Sequence, residues 1–172
     1  VRNYITRILV DDLEKALQFY TTKLGFTVKH DLPMDGPRWL TLVSPEGTDS
    51  VEPLLEPNDN PMLNGLVQTY QKSLFDNGIP AAMFAVDDVE TEFDLLAELE
   101  VRVALEPAEM GPVQVARYDD TCGNLNQITS PTRSFFLRFG GFFISPVRLL
   151  DRGNISPSGR RPFDARAMTS LD

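Results

Sequence analysis

The segment Ile8-Leu9-Val10-Asp11-Asp12-Leu13-Glu14 returns 76 positions later as Phe84-Ala85-Val86-Asp87-Asp88-Val89-Glu90. Such a repeat narrows the fold more than composition does, because two copies of one module must bury matching faces against each other. Each copy is an apolar strand that ends in an acidic pair. An aspartate there can cap the helix that follows by accepting backbone N–H bonds, and the next glutamates favour its positive end. Leu13, Ala16, Leu17, Tyr20 and Leu24 then recur at helical spacing, as do Val89, Phe93, Leu96, Ala97 and Leu99. Gly25 stands where a left-handed cap is expected. The second copy has Glu100 in that role, at a cost of about 1 kcal/mol if its backbone is left-handed.

Each copy continues as apolar segments parted by turn chemistry. The first reads Trp39 to Val43, Ser44-Pro45-Glu46-Gly47, then Val51 to Leu55; the second reads Val113 to Tyr118, Asp119 to Asn124, then Leu125 to Ile128. The expected fold class is therefore α+β: two βαβββ modules, about 4–57 and 80–130, forming a curved, barrel-like mixed sheet around a cleft. The linker 58–79 is expected to carry a short helix over Val67 to Phe75. A ligand belongs in the cleft.

Residues 1–130 hold nine basic against 22 acidic side chains, whereas 131–172 hold seven arginines against three aspartates. An acidic body repels phosphate backbones and anionic lipid surfaces, so neither nucleic acid nor membrane is an expected partner, and a cation is tolerated or attracted. The single cysteine, Cys122, cannot form an internal disulfide and reads as structural. No stretch reaches the roughly eighteen apolar residues of a membrane span, and Ile5 to Val10 follows no export pattern. A cytoplasmic protein is expected. The 131–172 extension is basic and rich in phenylalanine, with Phe135, Phe136, Phe139, Phe142 and Phe143 around Gly140-Gly141, and is expected to pack on the body or a partner subunit.

The paired modules, the two Asp-Asp helix starts, Leu24-Gly25-Phe26 and the closing Asp119-Asp120-Thr121-Cys122-Gly123-Asn124-Leu125 with Gln127-Ile128 together resemble the vicinal oxygen chelate superfamily over about residues 4–130. That superfamily includes glyoxalase I, extradiol dioxygenases, fosfomycin-modifying enzymes and bleomycin-resistance proteins. The resemblance implies a cleft between two βαβββ units, often completed by dimerisation, so a homodimer is expected. In metal-dependent members the first and last strands of each module supply His or Glu, Glu, His and Glu. Those places fall here on Ile5, Glu52, Ala81 and Gln127. Isoleucine and alanine offer no lone pair, and a divalent ion needs three or four donors. No metal and no other cofactor is expected.

Under the same resemblance Glu52 and Gln127 occupy symmetry-related positions and face each other across the cleft. Glu52 reads first as a pocket residue and next as a solvated strand end, and it is the best catalytic candidate, as a base raised toward neutrality by an apolar cleft; Pro53 beside it suggests an edge strand or bulge. Arg38, Trp39, Arg117 and Tyr118 complete the ligand-binding candidates, since aromatic faces hold planar or cationic ligands and arginine holds carboxylates or phosphates. His30, the single histidine, reads as a surface or structural residue before a ligand or base. The function implied is a small-molecule-binding protein without the usual metal site, sequestering a cationic or aromatic compound; the alternative is a superfamily lyase, isomerase or dioxygenase with an atypical or absent metal site.

Overall fold

The computed structural model describes residues 1–34, 38–47, 51–59, 61 and 65–132. The first module runs β1 (Ile5–Val10), α1 (Leu13–Thr22), β2 (Thr27–Leu32), β3 (Trp39–Val43) and β4 (Glu52–Pro57). The second runs β5 (Ala82–Ala85), α3 (Val89–Glu98), β6 (Val103–Met110), β7 (Val113–Asp119) and β8 (Leu125–Pro131), with α2 (Leu66–Asp76) between the modules. Both aspartate caps form. Asp12 and Asp88 have extended backbones, and their carboxylates accept the N–H of Lys15 at 2.9 Å and of Thr91 at 2.8 Å. The expected linker helix is α2. The 131–172 extension lies outside the described residues beyond Thr132.

The strands form two four-stranded mixed sheets, β1-β4-β3-β2 and β5-β8-β7-β6, one from each of the two expected βαβββ modules. In each, the first and last strands of the module pair in parallel and the others antiparallel. Pro53 sits in β4, which is an inner strand and not an edge. It is opposite Thr6 in the β1 ladder and just past Leu54, where the β3 pairing ends, so its missing N–H breaks no bond to β3.

Alternation turns Ile8, Val10, Leu40, Leu42 and Leu55 of the first sheet, and Ala116, Tyr118 and Ile128 of the second, into one buried cluster with the helices. Helix α1 serves both modules. Phe19 stacks on Tyr118 with ring centres 6.2 Å apart, and Tyr20 meets Phe26 and Phe84 edge-on. Each such ring contributes roughly 1.5–3 kcal/mol of burial.

A buried polar junction locks the modules. The Asp120 carboxylate accepts the Tyr20 hydroxyl at 2.8 Å, the Asn124 side-chain amide at 2.7 Å, and the N–H groups of Cys122 and Asn124 at 2.8 and 2.9 Å. Burial still leaves its pKa above the ordinary value. From α2, Gln71 reaches the carbonyls of Leu9 at 2.9 Å and Cys122 at 3.0 Å. Gly123 has φ +92°, and a β-carbon there would lie 2.8 Å from Gln71 Nε2, so only glycine fits. The Cys122 thiol in this turn is buried and pushed up to about 12, chiefly by burial and then by Asp120. Among the described residues no helix is long and apolar enough to cross a membrane.

Candidate functional site

With one face of each sheet packed on helices, the opposite faces are left for a ligand. On the first sheet, strand alternation and register place Ile5 and Arg7 of β1, Glu52 and Leu54 of β4, Trp39 and Thr41 of β3, and His30 of β2 on this inner face. Glu52 is 1% exposed and Thr41 is fully buried. Strand β2 bulges between Val28 and His30. The extra residue is Lys29, and the bulge lets two consecutive side chains reach one carboxylate.

Lys29 Nζ lies 3.0 Å from Glu52 Oε1, and His30 Nε2 lies 3.9 Å from Oε2. Burial raises the Glu52 pKa, but the Lys29 ammonium and the neighbouring Thr41 hydroxyl outweigh it and hold the carboxyl below its ordinary value. The Thr41 hydroxyl and Glu52 Oε2 are both buried without a hydrogen-bond partner. The lowered pKa is contrary to the expectation that an apolar cleft raises Glu52 toward neutrality, and it makes the carboxylate a weaker base than a free one.

The second sheet presents a continuous row in register: Met83 of β5, Gln127 of β8, Arg117 of β7 and Leu105 of β6. Arg117 Nε donates to Gln127 Oε1 at 2.9 Å and its Nη1 to the Gly78 carbonyl at 2.8 Å. Gln127 Nε2 in turn approaches the Met83 sulfur at 3.8 Å. Arg117 and Gln127 are thus brought together, as are Glu52, Lys29 and His30, whereas the other candidates disperse. Tyr118 projects from the opposite face of β7 into the core, 2% exposed against Phe19. Arg38 lies at the outer rim, where its guanidinium grips Asp31 and Glu14 and ties β2 to the first turn of α1. Trp39 is half-buried on the inner face, opposite Leu32.

The ladders also correct the symmetry assigned to Glu52 and Gln127. Glu52 is opposite Ile5, and Gln127 is opposite Met83. Through the 76-residue repeat Met83 corresponds to Arg7, whose partner is Leu54. Gln127 therefore matches Leu54 and stands one inward-facing position along from the equivalent of Glu52. The residue beside Gln127 on the first strand is Met83 and not Ala81, which precedes β5.

The groups at these places fit a divalent ion poorly. One Glu52 oxygen is held by an ammonium, the Gln127 oxygen by a guanidinium, and Ile5 and Ala81 carry no donor. A dication would face two fixed positive charges and lack the three or four ligands that repay its dehydration. Among the described residues no three His, Cys, Asp or Glu side chains converge. Lys29 is the site residue that sequence reasoning missed. Its signal was faint: a basic residue next to the single histidine, aimed inward only because of a bulge.

The family model described as Glyoxalase/Bleomycin resistance protein/Dioxygenase superfamily matches residues 3–128. Uncharacterized protein YurT of Bacillus subtilis (strain 168) is 50% identical over 124 residues, covering 72% of this chain and 94% of that protein. Among solved structures, UcmS2 is similar with a TM-score of 0.66 and 25% identity, covering 75% of this chain and 97% of its own. TnmS3, an antibiotic binding protein from Streptomyces sp. CB03234, has a TM-score of 0.58 and 21% identity, covering 77% of this chain and 97% of its own. The last likeness concerns the fold alone.

Proposed function

The chain belongs to the Glyoxalase/Bleomycin resistance protein/Dioxygenase superfamily, and from that premise we propose that it binds a small aromatic compound without the help of a metal. The observation that carries this reading is the ion pair of Lys29 with Glu52 at 3.0 Å. It commits the one strong donor among the family's ligand places to an ammonium, and it holds that carboxyl below its ordinary pKa, away from the near-neutral value that best suits a general base. The same pair disfavours the lyase, isomerase or dioxygenase reading. TnmS3, an antibiotic binding protein, supports small-molecule binding on this fold.

Of the two ligand classes, cationic and aromatic, the inner faces favour the aromatic. The excess of acid lies elsewhere, because the inner-face carboxylates Glu52, Glu56 and Asp119 each have a cation within 3.3 Å. Trp39 and the exposed Met83 offer flat or polarizable surface for rings, and half-buried Leu105 adds apolar area beside them. We further propose a cytoplasmic homodimer in which a second copy helps to enclose the ligand, supported by the lone cysteine and by the open sheet edges. Elemental analysis of purified protein tests the metal claim: zinc, nickel, manganese and iron should be far below stoichiometric. A stoichiometric metal that disappears in Glu52→Ala would overturn it.

A further inference from the structure

On the inner face of the second sheet, Arg117 carries a charge that no carboxylate among the described residues answers. Arg7 pairs with Glu56 at 3.2 Å, Lys29 with Glu52 at 3.0 Å and Arg102 with Asp119 at 3.3 Å. Arg117 is held only by neutral oxygens, those of Gln127 at 2.9 Å and of Gly78 at 2.8 Å. A half-buried guanidinium in that position has lost water without gaining an opposite charge. The two bonds fix its plane through Nε and Nη1, while Nη2 makes no hydrogen bond to the described residues. A planar fork held from behind with one edge uncommitted is a preorganised receptor for an acidic oxygen group.

Its surroundings say what such a group would be attached to. Arg117 stands in the cross-sheet row between the Gln127 amide and Leu105, with Met83 beyond Gln127 and 63% exposed. An exposed thioether and a leucine on either side of an amide and a guanidinium suit a ligand with an apolar ring system and one anionic substituent.

We propose that Arg117, positioned by Gln127 and the Gly78 carbonyl, anchors the carboxylate, sulfonate or phenolate oxygen of an aromatic ligand whose rings lie over Met83 and Leu105. This rests on the metal-independent binding proposed above and specifies its ligand as an aromatic acid. It accounts for a cation on a face of an otherwise strongly acidic protein.

The test compares two fluorescent probes on the full-length protein: anilinonaphthalene sulfonate, which is an aromatic acid, and phenylnaphthylamine, its neutral counterpart. Two variants are titrated beside the parent. Arg117→Met removes the charge. Gln127→Glu keeps the arginine and sets a carboxylate beside it, which preserves the packing even if Arg117→Met folds poorly. Each should weaken binding of the sulfonate by about ten-fold or more while changing the neutral probe by less than about two-fold. Equal effects on both probes, an unchanged sulfonate affinity in Gln127→Glu, or a parent that binds only the neutral probe would overturn the anchor and leave aromatic binding standing. A parent that binds neither probe would overturn both.

Discussion

A glutamate side chain titrates near 4.5 when nothing surrounds it, and the Glu52 carboxyl titrates lower because Lys29 reaches it across β3. A carboxyl with a depressed folded-state pKa contributes stability above its unfolded value, and that contribution is lost as pH falls through the folded value. Chemical denaturation of the parent and Glu52→Gln should show it. The parent is expected to lose stability more steeply than the variant below pH 4.5, and the two should run parallel at higher pH. Curves that stay parallel in acid would mean that the pair contributes nothing. At this scale the sequence displayed which residue types could serve a site, but not which way they point. Arg117 and Tyr118 are neighbours in β7, and only the register of the folded sheet sends one to the inner face and the other to Phe19. Arg38 immediately precedes β3 beside Trp39, yet two carboxylates draw it to the outer rim.

The two helices end alike but at different expense. Gly25, the third residue past α1, has φ +72°, and Glu100, the second past α3, has φ +59°. The left-handed conformation expected of Glu100 is present, one residue nearer its helix than in the first module. It lets the Val101 N–H reach the Leu96 carbonyl at 2.9 Å, which closes the helix end. Glu100→Gly removes the β-carbon clash and should stabilise the protein by about 1 kcal/mol, raising the melting temperature by roughly 2–4 °C in a scanning experiment. An unchanged or lower melting temperature would show that the strain is absorbed elsewhere. The elements were readable because strong local signals agreed with one another: the acidic pairs cap α1 and α3, and the apolar stripes at helical spacing become their buried faces. What escaped sequence reasoning was non-local. The bulge that redirects Lys29 and the inner placement of the proline-bearing β4 both depend on which strand lies beside which.

Across the molecule, the two modules share α1, the Asp120 junction and one apolar cluster, but each sheet keeps two edge strands. Exposed Leu32, Met83 and Met110 lie on or beside the inner faces. Covering such edges and faces with a second copy is the ordinary remedy. Light scattering at micromolar concentration should therefore return the mass of a dimer, and a monomer mass would count against it. The net charge of −9 hides a local fact that composition could not reveal, since cations answer the carboxylates of the inner faces while Arg117 is answered by neutral groups. Binding that depends on fixed side-chain charges and apolar surface should be indifferent to chelators. The most direct measurement is a titration of the full-length protein with phenylnaphthylamine before and after exhaustive treatment with a strong chelator. Unchanged affinity and stoichiometry are predicted; binding that vanishes on chelation and returns with zinc, manganese or iron would contradict the account.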